Sequence, residues 1–274
     1  MIVLLTDFGL QDPFVGVMKG VIAGIAPRAA VVDLCHGVPP QDVRSAAFCL
    51  MSSARYFPAG SLFVVVVDPG VGSERRVLYA RGGRRAYLFP DNGVTGWLER
   101  TEPFLEVREV RDGRFFLPAA NVLPKGGRDA RPPASTALPA GGSTFQGRDI
   151  FAPVAARLSM GLARSRLGPV IRRWERLPFP SAEVRRSGIV GEVLVVDHFG
   201  NAVTNLPADG VGGGLVSFRG RRIGPVRSSY VSVPPGRALA VKGSSGFIEL
   251  SVRGGDFSRR FKAVPGDRVA FERR

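Results

Sequence analysis

The chain has 274 residues, 45% of them apolar, enough for two packed domains. No run reaches the roughly 18 apolar residues of a membrane-spanning helix, and the two cysteines, Cys35 and Cys49, form neither a disulfide framework nor a metal set. The formal charge of +15 sits on arginines scattered in pairs such as Arg75–Arg76 and Arg221–Arg222, with no long run and no interleaved aromatics, which argues against a nucleic-acid partner.

The opening MIVLLTDFGLQDPF has no basic leader, and Asp7 interrupts its apolar run; a cytoplasmic protein with free thiols is expected. IVLLT (2–6) reads as a buried strand, and 14–27 as an amphipathic helix ended by proline. VVDLC (31–35) is a second strand and 41–57 a second helix. LFVVVVD (62–68) is a continuous apolar run, suited to a central strand covered on both faces. This alternation predicts a parallel sheet with right-handed crossovers. A helix near 94–100 and short strands to Phe116 follow. Residues 124–142 have the composition of a surface loop, and a helix is expected from Gly147 to about Leu162.

Beyond LPFPSAEVRRS the pattern is one of strands and glycine- or proline-rich turns, as in a small β-barrel or sandwich. The predicted organisation is therefore a parallel-sheet α/β domain over 1–176, a linker over 177–187 and a β domain over 188–274.

Ligands of open parallel sheets collect at the carboxyl ends of the strands. Asp7, Asp33 and Asp68 lie at or near such ends. Asp68 opens DPGVGSERR, where Arg75 either fixes a turn through a salt bridge or helps the carboxylate to orient and deprotonate water. DHFGNAVTN (197–205) is either a turn or an aromatic face beside an amide, suited to a purine. GSSGF (243–247) is a turn or a nest for a carboxylate. Only two histidines are present, His36 and His198; a multi-histidine metal site is excluded, and each reads as structural rather than catalytic.

TDFG, DLCHGVPPQDV, VVVVDPGVGSERR, FPDNG, STFQGRDIFAP, DHFGNAVTN and GSSGF, in this order over nearly the whole chain, resemble the S-adenosyl-L-methionine (SAM) hydroxide adenosyltransferases, relatives of the fluorinase and chlorinase. The resemblance implies an α/β domain followed by a β-barrel. It also implies a homotrimer with its sites at subunit interfaces, no cofactor, and hydrolysis of SAM to adenosine and L-methionine by in-line attack at ribose C5′. By position, Asp7 would hold the ribose hydroxyls, Asp68 and Arg75 would activate water, Phe199 and Asn201 would contact adenosine, and Asp197 and Ser244 would hold the methionine end. The family's water-activating set is Asp–Arg–His, which the halogenating relatives lack. Here the family's STFHGRD reads STFQGRD, so Gln146 stands in the histidine's place. A glutamine can hold water but cannot take its proton. A weakened hydrolase is expected. The alternatives are a non-catalytic SAM- or adenosine-binding protein and a halide adenosyltransferase.

Overall fold

A computed structural model describes residues 1–117 and 144–273, in two compact units, Met1–Pro178 and Phe179–Arg274. The loop expected over 124–142 lies outside the described residues.

The first unit runs β1 (Ile2–Thr6), α1 (Phe14–Ile25), β2 (Val31–Cys35), α2 (Val43–Ser53), β3 (Leu62–Val66), β4 (Val77–Gly82), β5 (Ala86–Pro90), β6 (Phe104–Glu109) and α3 (Ala152–Ser159). Its sheet has the order β2-β1-β3-β5-β4-β6; β1 is parallel to β2 and β3, β3 is parallel to β5, and β4 runs antiparallel to β5 and β6. The apolar strands sort by alternation. Ile2, Leu4, Val64 and Val66 face one layer with Met18 and Ile22 of α1 and Val154 to Ala156 of α3. Val3, Leu5, Phe63 and Val65 face the other, with Ala46 and Leu50 of α2. Each such aliphatic side chain contributes about 1.5–3 kcal/mol on burial. A strand buried on both faces has to be apolar at every position, which is why these runs show no polar alternation.

The helix expected near 94–100 is a single 3-10 turn, Leu98–Arg100. The carbonyl of Gly93 accepts both the N–H of Gly96 at 2.9 Å, closing a turn, and the N–H of Leu177 at 3.0 Å. Gly96 packs against the same segment; a Cβ there would lie 2.4 Å from the Leu177 carbonyl oxygen and 2.8 Å from its nitrogen. Backbone cannot step aside as a side chain can. Gly96→Ala is therefore expected to destabilise the fold by about 1–3 kcal/mol, the range for overpacking. Neighbouring Trp97 is fully buried and donates to the Pro178 carbonyl at 3.1 Å, so its fluorescence in a urea titration reports the change.

The second unit runs β7 (Glu183–Arg185), β8 (Gly188–Val196), β9 (Ala202–Pro207), β10 (Leu215–Phe218), β11 (Arg221–Arg227), β12 (Ala238–Lys242), β13 (Phe247–Val252), α4 (Phe257–Phe261) and β14 (Arg268–Glu272). Pairing of β14 with β8 closes the order β14-β10-β11-β12-β13-β9-β8 into a seven-stranded barrel, and β7 lies along β8. Closure leaves fewer unpaired edges. Phe257, Phe218 and Phe271 fill its core with Leu250, Ile248 and Val216. β11 runs through Gly224 and Pro225, and its ladder with β10 carries an irregularity between Val216 and Ser217.

Candidate active site

The chain leaves β1 toward β2 on one side of the sheet and reaches β3 on the other, so β1 and β3 flank a topological switch point. Asp7 and Phe8 follow β1, and Asp68 follows β3, at the carboxyl edge of this crevice.

Asp68 is held on two sides. Its Oδ1 accepts the Gly70 N–H at 3.0 Å within the Asp-Pro-Gly turn, and Arg75 Nε donates to its Oδ2 at 2.5 Å. Asn92, from FPDNG, donates to the Val67 carbonyl at 2.9 Å and braces the strand end. The Arg75 and Asp68 side chains are only 10% and 4% exposed, so the pair is desolvated as well as bonded. The salt bridge expected of the turn is thus present, and Asp68, the candidate water-handling carboxylate, is one of its two partners.

Arg75 also reaches across the sequence. Its Nη2 donates to Oε1 of Gln146, 71 residues away. Gln146 is 7% exposed and precedes a π-helical turn, Gly147–Phe151, which leads into α3. Such turns are rare and recur at functional sites. The turn buries Gly147, Asp149, Ile150 and Phe151 together, and the Asp149 carbonyl accepts the Leu117 N–H at 2.8 Å. The helix expected from 147 to 162 is accordingly a π turn followed by α3, ending at Ser159. Because arginine has no acceptor, the amide oxygen of Gln146 is the atom that faces it, which leaves the amide N–H₂ as a donor.

Asp7 accepts the N–H of Gln41 at 2.7 Å; Gln41 adopts a left-handed φ of 64°. His36 is a strut. It is 5% exposed, its Nδ1 lies 2.9 Å from Thr6 Oγ1, its Nε2 is 3.1 Å from Asp33 without hydrogen-bond alignment, and its carbonyl accepts the Gly9 N–H. Asp33, the third acidic residue near a strand end, binds Lys19 at 2.6 Å. Burial pushes its carboxyl up, but Lys19 and His36 outweigh this and hold it below its ordinary range. Phe8, Phe14 and Phe145 form an aromatic cluster beside Gly147, with ring centroids 5.1–5.7 Å apart.

In the second unit, Asp197 organises the β8–β9 turn. Its Oδ1 accepts the N–H groups of Phe199 and Asn201 at 2.9 and 2.8 Å, and its Oδ2 accepts Asn201 Nδ2 at 2.9 Å. This turn presents Phe199 with 74% of its surface exposed, while Asn201 is buried. His198 is exposed and meets the Phe199 ring edge-on at 5.7 Å. Ser244 lies exposed in the β12–β13 turn.

Two residues not anticipated from the sequence stand near these turns. Glu249 of β13 is 8% exposed, and Tyr230 donates to its Oε2 at 2.9 Å. Burial pushes the Glu249 carboxyl up, and the Asp197 charge adds to this against the Tyr230 hydrogen bond. Burial and Glu249 push the Tyr230 phenol up to about 12. Gly243 is needed here, since a Cβ would lie 2.0 Å from Glu249 Oε1. The available signal was a lone acid inside FIELSV, a strand whose other positions are apolar or small.

Among the described residues there is no group of three or more His, Cys, Asp or Glu that could hold a metal ion, and no helix long and apolar enough to cross a membrane.

Residues 2–168 match the SAM hydroxide adenosyltransferase N-terminal domain, and residues 191–270 match the C-terminal domain of the same name. A (R)-S-adenosyl-L-methionine hydrolase of Thermus thermophilus is 44% identical over 258 residues, covering 92% of this chain and 91% of that protein. One of the same name from Salinispora arenicola is 36% identical, covering 96% and 94%. A fluorinase of Actinopolyspora mzabensis is more distant, at 28% over 246 residues, covering 78% and 75%. The fold matches the crystal structure of an uncharacterized conserved protein from Thermotoga maritima with a TM-score of 0.83 and 33% identity over 100% of both chains. Two domain matches in the expected order, covering both units that carry the site residues, show that the chain belongs to the SAM hydroxide adenosyltransferase family.

Proposed function

We propose that this protein hydrolyses SAM to adenosine and L-methionine, and that Asp68, not residue 146, takes the proton from water. The observation that carries this reading is the buried relay in which Arg75 bridges Asp68 and Gln146. Water is held by the Gln146 amide N–H and by a lone pair of Asp68. Its oxygen attacks C5′ in line with the C5′–S bond, whose electron pair passes to sulfur. The sulfonium becomes the neutral thioether of methionine, and Asp68 receives the proton. Arg75 offsets the Asp68 charge and fixes the direction of both partners.

Asp7 fits the ribose diol, because a carboxylate accepts several hydrogen bonds and one oxygen already has a backbone partner. Exposed Phe199 fits the purine face, with Asn201 beside it; Asp197 and Ser244 fit the methionine end. By family resemblance the working form is a cytoplasmic homotrimer in which the first unit of one subunit and the second unit of its neighbour share the substrate. No cofactor enters this scheme.

The test is chromatographic. Purified protein and SAM in halide-free buffer are expected to yield adenosine and methionine in equal amounts, above spontaneous breakdown. No adenosine, together with calorimetric SAM binding, would instead identify a binding protein. A 5′-halo product with added chloride or fluoride would identify a halide transferase.

A further inference from the structure

The opposite edge of the first unit's sheet holds a cavity of about 600 Å³. It opens where β1, β3 and β5 begin and β4 ends, with Leu62, Tyr79, Arg81, Leu158, Leu162 and Arg164 among its lining. β1 is a five-residue strand, so the cavity stands about 16 Å from the Asp7–Asp68 edge at ~3.3 Å per residue. It is therefore separate from the candidate active site.

Three features give this cavity a chemical preference. Among the described residues, its lining contains arginines and no aspartate or glutamate. Among the described residues, Arg81 Nε is buried with no hydrogen-bond partner, whereas Arg85, also in the lining, is fully occupied by Glu102 and the carbonyls of Arg55 and Phe57. A buried N–H without an acceptor is unfavourable, and an anion would supply the acceptor. Arg164 is 48% exposed and bound on one side by Glu106 at 3.0 Å, so its other guanidinium edge remains available. Leu62, Leu158 and Leu162 supply an apolar wall. Burial holds the Tyr79 phenol above its ordinary range, which keeps it a hydrogen-bond donor.

We propose that this cavity binds a small phosphorylated organic molecule, with its phosphate on Arg81, Arg164 and Tyr79 and its apolar body on the leucines. Arginine suits this task because its planar fork matches phosphate oxygens in pairs. The volume lies within the 300–1,000 Å³ usual for small-molecule pockets.

Isothermal calorimetry with the full chain tests the assignment, using phenyl phosphate and inorganic phosphate as probes at physiological salt. Phenyl phosphate is expected to bind at one site per chain and at least tenfold more tightly than inorganic phosphate, since only it uses the apolar wall. Arg81→Gln and, independently, Arg164→Ala are expected to weaken it at least tenfold. Arg164 is partly exposed, so its variant tests the site even if Arg81→Gln perturbs folding. Arg259→Ala, whose side chain is 89% exposed in the other unit, is expected to leave binding unchanged and so controls for the high positive charge. Equal weakening by all three variants, or no saturable binding of either probe, would overturn the proposal. So would equal affinity for the two probes.

Discussion

Asp68→Asn is expected to lower adenosine formation about 10²- to 10⁴-fold, the usual effect of removing a general base. The substitution keeps the shape and one acceptor oxygen but removes the group proposed to accept the proton. Its effect should fall on kcat, with SAM affinity measured separately by calorimetry remaining close to the parent value. A second consequence is structural. Arg75 would keep a buried guanidinium beside a neutral amide, and breaking a buried pair from one side costs about 3–5 kcal/mol. The assay therefore belongs well below the melting temperature of the variant, with folding checked by circular dichroism. An Asp68→Asn protein that is folded and turns over at the parent rate would remove Asp68 from the chemistry.

Gln146→Leu is expected to lower turnover about 10- to 100-fold, while Gln146→His stays within about tenfold of the parent. The reasoning lies in the donor pattern. Arg75 can only donate, so any residue at 146 must present an acceptor to it. A neutral imidazole that accepts from Arg75 through one nitrogen carries its hydrogen on the other, and that hydrogen faces the water. Glutamine offers the same arrangement: an oxygen toward Arg75 and an N–H toward water. Leucine offers neither. A hydrogen bond involving a charged group contributes about 1.5–3 kcal/mol, and about 1.4 kcal/mol corresponds to a factor of ten in rate. The pH profile separates the two roles. If imidazole acted as the base in Gln146→His, a new limb would emerge near its ordinary value of about 6.5. The expected result is an unchanged profile. A gain of a hundredfold or more with such a limb would show that the glutamine had cost the protein its base.

The first three strands were legible because each is a short, largely apolar run and β3 is apolar throughout. The Asp68–Arg75 pairing was legible too, since the two stand only seven positions apart at the ends of one turn sequence. Gln146 was not readable from local pattern: its partner lies 71 residues away, and only the family resemblance marked the position. The π turn leaves no composition signature, because its residues would suit an ordinary helix equally well. In the barrel, Gly224 and Pro225 lie inside β11, and Glu249 is buried on β13 although nothing in its local pattern names its partner Tyr230. Sequence periodicity reports which side chains are apolar. It does not report which polar ones meet.

The π turn also bears on how this protein can be altered. Each residue of an α-helix advances the chain by about 100°. Deleting one residue from Gly147–Phe151 would allow a regular helix to run into α3, and such a helix would be better bonded than the present one. Yet α3 is anchored in the core by Val154, Ala155 and Ala156, so the rotation would be taken up at the other end, by Gln146. The amide would swing away from Arg75. Stabilising this helix by shortening it would therefore be self-defeating: the irregular turn aims Gln146 at Arg75, and a straighter helix would point the amide elsewhere.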